Sequence, residues 1–374
     1  MQIGPFKLER YFAAHEFKAR FLLSASDCEA LSLSDLLGMA DASSLDLWRS
    51  LSLQYTESQG HPTLRTEIAC LYGSVSPDDV VVAVPEEAIF IAMNTLLRPG
   101  DHAIVISPAY QSLYEITRAL GCSFTRWELL QQADRWLLDL GRLEASITPQ
   151  TRLIVINFPH NPTGCQATLA ELEAIVEIAR RHKLRLFSDE MYRLLEYDPA
   201  DRLPSAVDLY EQAVVLSGLS KSYALPGLRT GWLVVRDPQL TAAFVAFKDY
   251  TTICNSAPGE ILAIMALRNA DRILARNLRI IGENHGAAQE VFARHSDLLT
   301  WLPPRAGSIA FPRLAASTPV KGFCSALLDR QDVMVVPAEL FEYAGNHFRV
   351  GLGRANFREA LARFEEYIVG EKLG

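Results

Sequence analysis

A lysine between two apolar runs could act as a nucleophile in this chain. Lys221 lies in the small-residue segment 217–222, and Arg229 follows eight residues later. The flanking runs 213–216 and 233–235 predict short buried strands, because apolar and β-branched residues are bounded there by Gly and Ser. Partial desolvation would lower the pKa of the amine and make it reactive toward carbonyl compounds. The residues alone leave two interpretations open, a surface loop and a functional amine.

The elements around this loop predict an alternating order of strands and helices. Further apolar runs at 80–84, 103–106, 153–156 and 184–187 read as buried strands. An amphipathic helix is predicted at 169–182. This order favours the α/β class, a mostly parallel sheet flanked by helices, with functional residues at the carboxyl ends of the strands.

One strand-to-helix turn is suited to an anion. Run 80–84 leads into Pro85, Glu86 and Glu87, where proline opens a helix. Backbone N–H groups and the positive end of the helix dipole would be available there for a phosphate. The two acidic side chains are ordinary first-turn dipole partners, so we predict a backbone role for this turn.

The segment 220–232, Ser-Lys-x-x-x-x-Pro-Gly-x-Arg-x-Gly-Trp, resembles the lysine signature of class I/II aminotransferases. These are fold-type I enzymes that use pyridoxal 5′-phosphate (PLP). Three more motifs of that family follow in its order: Pro-x-Tyr at 108–110, Asn-Pro-Thr-Gly at 161–164 and Asp-Glu-x-Tyr at 189–192. The resemblance spans roughly residues 40 to 355. It implies a large domain with a mostly parallel sheet and a smaller α+β domain.

The resemblance implies a role for each matching residue around the cofactor ring. Lys221 would bind PLP covalently and move the substrate proton. Asp189 would pair with the pyridine nitrogen, which keeps the ring able to accept electrons. Tyr192 and Asn161 would hydrogen-bond the phenolate oxygen, and Tyr110 would stack on the ring.

It also implies contacts to the cofactor phosphate. Arg229 would bind the phosphate, and Tyr55 would reach it from the neighbouring subunit, so a homodimer with shared sites is expected. Gly218 stands where these enzymes often carry a serine, which leaves Ser217 or Ser220 to supply that contact.

Substrate contacts are predicted at both ends of the chain. Arg349 matches the arginine that grips the substrate α-carboxylate, a task suited to the bidentate guanidinium. An amphipathic helix predicted at Leu8–Arg20 carries Glu9 and His15. It is either an arm packed on the body or a segment that faces the substrate.

Composition limits the remaining possibilities. The 374 residues suit an N-terminal arm with part of a small domain at 1–40, a large PLP-binding domain at 41–270 and a C-terminal small domain at 271–374. Net charge is −8 with mixed signs, so no nucleic-acid partner is expected. No apolar run approaches the roughly 20 residues of a membrane span, and the scattered cysteines suggest neither a disulfide framework nor a metal site. We therefore expect a cytoplasmic protein.

The resemblance leaves the reaction open. The commonest outcome is amino transfer from an L-amino acid, giving a keto acid and pyridoxamine phosphate. The arm and the Pro-Glu-Glu turn also look like capreomycidine-synthase-type enzymes, which cyclise a hydroxylated arginine after elimination. A catalytically inactive binding protein is the third hypothesis. No second arginine stands out for a dicarboxylate, which disfavours aspartate as the donor.

Overall fold

The computed structural model describes residues 2–315 and 319–372. Its α-helices are α1 (Lys7–His15), α2 (Leu33–Met39), α3 (Ala42–Arg49), α4 (Pro62–Ala69), α5 (Pro85–Leu96), α6 (Ser112–Ala119), α7 (Leu140–Ala145), α8 (Leu169–Arg181), α9 (Ala206–Leu209), α10 (Pro238–Lys248), α11 (Ala257–Arg268), α12 (Ala270–Arg294), α13 (Val320–Gln331) and α14 (Phe357–Lys372). Its strands are β1 (Val80–Ala83), β2 (His102–Ser107), β3 (Ser123–Glu128), β4 (Leu130–Gln131), β5 (Trp136–Leu137), β6 (Thr151–Asn157), β7 (Arg185–Asp189), β8 (Ala213–Gly218), β9 (Gly231–Val234), β10 (Leu299–Thr300), β11 (Ile309–Ala310), β12 (Arg313–Leu314), β13 (Val336–Pro337) and β14 (Phe348–Gly351).

A seven-stranded sheet carries the strand ends that were predicted to be functional. Its order is β1-β9-β8-β7-β6-β2-β3. Strand β9 is antiparallel to both of its neighbours, whereas the β8-β7-β6-β2-β3 pairs are all parallel. Strand β1 therefore runs in the same direction as β8, and the carboxyl ends of β1, β2, β6, β7 and β8 share one edge.

Both faces of this sheet are buried, which explains the continuous apolar runs. In β1, Val81 and Ala83 pack into one core, and Val80 and Val82 pack into the other. The first core contains apolar residues of α5, α6, α10, α12 and α14. The second contains residues of α4, α8 and α11. Helices thus cover the sheet on each side, as the sequence predicted.

The C-terminal region builds separate, smaller sheets. Strands β11, β14 and β13 form a three-stranded antiparallel sheet, with α13 and α14 packed nearby. The domain boundaries at residues 40 and 270 remain our proposal. Among the described residues, no helix is both long and apolar enough to cross a membrane.

The helix of the N-terminal arm is shorter than predicted. We expected it over Leu8–Arg20, but α1 ends at His15. Residues 16–18 form a turn, in which the N–H groups of Lys18 and Ala19 both donate to the carbonyl of His15. The expected C-terminal boundary was therefore wrong.

Paired glycines bring β8 and β9 close together beside the lysine loop. Gly218 lies opposite Gly231 in the ladder. A Cβ at Gly218 would lie 2.8 Å from the Gly231 Cα and 3.0 Å from the Thr230 carbonyl oxygen. Both are backbone atoms, which cannot rotate away. This geometry gives a physical reason for the absence of a serine at this position.

We expect Gly218→Ala to lower the free energy of unfolding by roughly 1–3 kcal/mol, because overpacking at rigid backbone atoms is destabilising. Urea denaturation of the cofactor-free protein measures the change. Gly227→Ala is the matched control, since a Cβ there meets nothing within 4 Å. Equal stability of the Gly218 variant and the wild type would contradict this packing argument.

Candidate functional site

Lys221 lies at the edge where the parallel strands end. It follows β8 by three residues, and its Nζ donates a hydrogen bond of 2.8 Å to the Ser26 hydroxyl. The same Nζ lies 5.9 Å from the centroid of the Tyr192 ring. The side chain is half-buried, with contacts from the N-terminal region on one side and from the segment after β7 on the other. The lysine is therefore part of an assembled site.

Asp189 ends β7 and points into a buried environment. It is 6% exposed, and its Oδ1 accepts a 3.1 Å bond from the Met191 N–H. Burial raises the pKa of Asp189 to about 7, while the Met191 N–H and the charge of Lys221 act in the opposite direction. A cation at this carboxylate would restore its ordinary ionisation. A protonated pyridine nitrogen is such a cation.

Arg349 and Asn161 come from distant parts of the chain and meet in the core. The Nη1 of Arg349 donates to Asn161 Oδ1 at 3.2 Å, and its Nη2 donates to the Ser24 carbonyl at 3.1 Å. Both side chains are buried, and the peptide bond from Asn161 to Pro162 is cis. Since the Asn161 oxygen accepts from the arginine, its amide nitrogen is the atom left to donate to a cofactor.

The arm covers the tyrosine that follows β2. The Tyr110 hydroxyl donates to Glu9 Oε1 at 2.9 Å, and the Phe6 ring lies 5.0 Å from the Tyr110 ring at an angle of 51°. Burial raises the pKa of Tyr110 well above its ordinary value, and the carboxylates of Glu86 and Glu9 add to this. The structure thus brings Glu9 to the site.

The two acids of the strand-to-helix turn face different surroundings. Ser112 donates to Glu86 Oε2 at 3.3 Å, and burial raises the pKa of Glu86 to about 7. Glu87 instead accepts bonds from Val84 and from Thr252. A cleft of about 670 Å³ opens beside the turn, between the arm, α5, α6 and the loop that follows α10.

Three further predicted residues make none of the hydrogen bonds described above. Tyr55 is 85% exposed. Arg229 is exposed, with a left-handed φ of 52°, and its guanidinium donates to the Pro226 carbonyl while its charge faces Glu86. His15 lies in the last turn of α1, where its ring contacts that of Tyr11 at 4.8 Å.

Sequence reasoning missed the segment that packs over the lysine. Ser26 contacts Lys221, and Asp27 forms an ion pair with Arg354 at 2.9 Å. The segment lies so close to β14 that a Cβ at Gly351 would be 1.7 Å from the Ala25 carbonyl oxygen. Glycine within a strand often marks such a close backbone approach. The Arg-Val-Gly-Leu-Gly run at 349–353 was therefore a usable signal.

The residues present fit PLP. In the described part of the chain, three buried polar atoms of the site have no hydrogen-bond partner: Tyr192 Oη, Ser220 Oγ and Arg349 Nε. Asp189 is a buried carboxylate that favours a cation. The N-cap residue of α5 is Val84, whose apolar side chain does not bond the first N–H groups of the helix, and α5 begins where β1 ends at this edge. A phosphorylated pyridine would offer hydrogen-bond acceptors to the unpaired buried donors and a protonated nitrogen to the Asp189 carboxylate.

Comparison with known proteins supports this fit. The sequence pattern of the family "Aminotransferase class I and II" matches residues 46–364. Capreomycidine synthase of Streptomyces vinaceus is 31% identical over 366 residues, which are 96% of this chain and 92% of that protein.

Two solved structures have the same fold. A PLP-dependent aminotransferase from Streptococcus suis 89-1591 superposes with a TM-score of 0.90 at 29% identity, covering 98% of this chain and 97% of that one. The PLP-dependent cyclase OrfR superposes with a TM-score of 0.88 at 28% identity, covering 98% of both chains. The fold is thus that of the fold-type I PLP-dependent transferases, and the chain belongs to the class I and II aminotransferase family of PLP-dependent enzymes.

Proposed function

We propose that this protein is an aminotransferase that moves the α-amino group of an L-amino acid to a keto acid. The observation that supports the proposal is that the charge of Lys221 acts on the buried Asp189 carboxylate, while the Lys221 amine lies 5.9 Å from the ring of Tyr192, a residue that also acts on the Arg349 guanidinium. A homodimer in the cytoplasm belongs to the same proposal, with Arg229 on the cofactor phosphate and Tyr55 reaching that phosphate from the neighbouring subunit.

Each residue has a defined task in this reaction. PLP, when bound, supplies an electron sink for the electrons of the substrate Cα–H bond. With PLP bound, Lys221 Nζ would take the Cα proton of the substrate and hold it for return. Asp189 would keep the pyridine nitrogen protonated. Tyr192 Oη and Asn161 Nδ2 would donate hydrogen bonds to the phenolate oxygen. Tyr110, which the arm covers, would pack on the ring and limit access of water from that side.

Arg349→Lys tests the carboxylate contact. Lysine keeps the charge but loses the two-pronged donor geometry, so we expect KM for the amino acid to rise about tenfold to hundredfold. A smaller change is expected in kcat, and steady-state kinetics separates the two constants. Arg313→Lys, an exposed arginine on neighbouring β12, is the control. Equal KM values in the two variants would contradict this role.

The charges near Lys221 favour a substrate with a basic side chain. Glu16 has its pKa raised by burial and then by the charges of Asp27 and Glu9, while Arg354 and Lys221 lower it. The charges of Glu9 and Asp27 also act on Arg349. Acids of the arm and of the following segment therefore lie near both the amine and the carboxylate-binding guanidinium. A cationic side chain would complement them.

Those same acids support a second candidate, an elimination followed by cyclisation of a hydroxylated arginine. The likeness to capreomycidine synthase and to the cyclase OrfR adds to this alternative. The first chemical task, removal of the Cα proton by Lys221, is common to both candidates. The fate of the amino group distinguishes them.

Mass spectrometry of the products is the deciding experiment. The PLP-loaded enzyme is mixed with a panel of amino acids that includes arginine and hydroxyarginine. A keto acid with pyridoxamine phosphate, reversed by an added keto acid, establishes amino transfer and identifies the donor. A dehydrated, cyclised amino acid with the cofactor still as PLP establishes the cyclase and overturns the first proposal.

Glu16→Gln tests the preference for a basic side chain. We expect kcat/KM for arginine to fall about tenfold relative to kcat/KM for norleucine, since a charge-assisted contact is lost. The ratio of the two substrates within one variant is an internal control for damage to the catalytic groups. An unchanged ratio would show that this acid does not select the substrate.

A further inference from the structure

Glu87 links the phosphate-binding turn to a separate loop. Its Oε2 accepts a 3.3 Å bond from the Val84 N–H at the start of α5. Its Oε1 accepts bonds from the Thr252 N–H at 3.2 Å and from the Thr252 hydroxyl at 2.7 Å, and also a bond from the Thr251 hydroxyl. One carboxylate thus holds two segments that are more than 160 residues apart in the chain.

Lys248 links the same loop to a third segment. Its side chain is fully buried, and its Nζ donates a 2.6 Å bond to the Ser58 carbonyl. The Ser58 hydroxyl lies 2.8 Å from the Ile253 carbonyl oxygen and 2.9 Å from Asp249 Oδ1. A lysine is almost never fully buried unless it is paired. Burial lowers the pKa of this amine, and the charges of Glu87 and Glu260 oppose part of that shift.

The third segment carries Tyr55, three residues before Ser58. Tyr55 is 85% exposed, and Tyr250, at the start of the loop held by Glu87, is 92% exposed. The backbone beneath these exposed rings is held by the bonds of Glu87 and Lys248. The exposed rings of Tyr55 and Tyr250 therefore project from backbone segments that these hydrogen bonds hold beside the phosphate turn.

We propose that Glu87 and Lys248 are positioning residues that join the phosphate turn, residues 249–255 and residues 55–59 into one unit. Cofactor binding at the turn is thereby coupled to the ordering of the segment that presents Tyr55. This coupling requires PLP binding, which the family membership establishes, and it does not depend on whether the reaction is amino transfer or cyclisation.

Hydrogen exchange with mass spectrometry tests the coupling. In the wild type, adding PLP to the cofactor-free protein should slow exchange in peptides that cover 84–90, 249–255 and 55–59. In Glu87→Ala, PLP should still slow exchange at 84–90. The factor by which PLP slows exchange at 249–255 and 55–59 should fall about tenfold or more, because the variant lacks the charged acceptor that holds these segments. Absorbance of the bound cofactor confirms loading in each sample.

Two further variants keep the test decisive. Thr251→Val combined with Thr252→Val removes both hydroxyl donors from the loop side, and these exposed side chains are not needed for the core. This double variant keeps only the Thr252 N–H bond to Glu87 and should lose most of the coupling, so a folding failure of Glu87→Ala does not prevent a decision. Glu115→Ala is the control, since Glu115 lines the same cleft but bonds to Gly4 and Arg118.

The possible outcomes of the exchange experiment either support or overturn the proposed coupling. Loss of the distant PLP effect in the Glu87 and threonine variants, with full retention in Glu115→Ala, supports the proposal. Equal PLP effects in all variants overturn it, as does a wild type in which PLP changes exchange only at 84–90. Failure of the product assay for amino transfer would leave this result unaffected, because no substrate is present in the exchange experiment.

Discussion

We expect Lys221→Ala to lose the covalent bond to PLP, because this side chain is the proposed attachment point. We also expect kcat to fall at least about 10³-fold, because the same amine is the proposed proton carrier. Its neighbours do not offer a replacement: Ser26 is the hydrogen-bond partner of the amine, and Tyr192 presents its ring to it. The variant should still fold, since the lysine is only half-buried.

Borohydride reduction followed by peptide mass spectrometry checks this expectation. In the wild type the reduced cofactor should be found on the peptide that contains residue 221, and in the variant on no peptide. Lys321→Ala, on the surface of α13, should behave as the wild type does. A covalently bound cofactor in Lys221→Ala would refute the assignment of the reactive amine.

Asp189→Asn should lower kcat by roughly 10³-fold while leaving the fold intact, because it removes a preorganised charge from the proposed partner of the pyridine nitrogen. The asparagine oxygen can still accept the Met191 N–H that Asp189 now accepts. Tight but inactive cofactor binding is therefore expected. Pre-steady-state measurement of Cα-proton exchange with solvent locates the lost step.

The same variant has an effect on stability with a definite sign. Burial raises the pKa of Asp189 from 3.8 to about 7, so the folded cofactor-free protein holds a proton that the unfolded chain releases. Stability from this group is full below about pH 4 and is lost as the pH rises toward 7. The loss is on the order of 4 kcal/mol at most. Asp189→Asn should therefore flatten the fall in unfolding free energy between pH 4 and 7.

Glu86 supplies a reference for that measurement. Burial also raises its pKa to about 7, so part of the slope should survive in Asp189→Asn. Cofactor binding should reduce the contribution of Asp189, since a cationic ring nitrogen would favour its ionised form. A slope that is identical in the wild type and in Asp189→Asn would show that this carboxylate is ionised in the folded cofactor-free protein.

Local sequence determined the sheet and which side chains lie at its edge. Short apolar runs that are rich in β-branched residues and bounded by turn residues predict strands buried on both faces, and β1, β2, β6, β7 and β8 lie where those runs are. Because parallel strands end at one edge, the residues after them had to meet there. That Lys221, Asp189 and Tyr110 lie at this edge was predictable for this reason, whereas their roles came from the family resemblance and stay predictions.

Only the tertiary structure decided which way the other side chains point. Glu86 and Glu87 are adjacent and chemically identical, yet one faces Ser112 and the other holds Thr252. Sequence could not separate them, since the direction of a side chain in a helix's first turn depends on what packs against it.

The arm and the segment beside it show the same limit over longer distances. Ser26 reaches Lys221 across 195 positions in the chain, and Arg349 reaches Asn161 across 188. Contacts of this kind leave no local pattern, because they depend on how separate elements pack in three dimensions. The sequence therefore determined the sheet edge and its reactive groups, whereas tertiary packing decided which acids, hydroxyls and loops surround them.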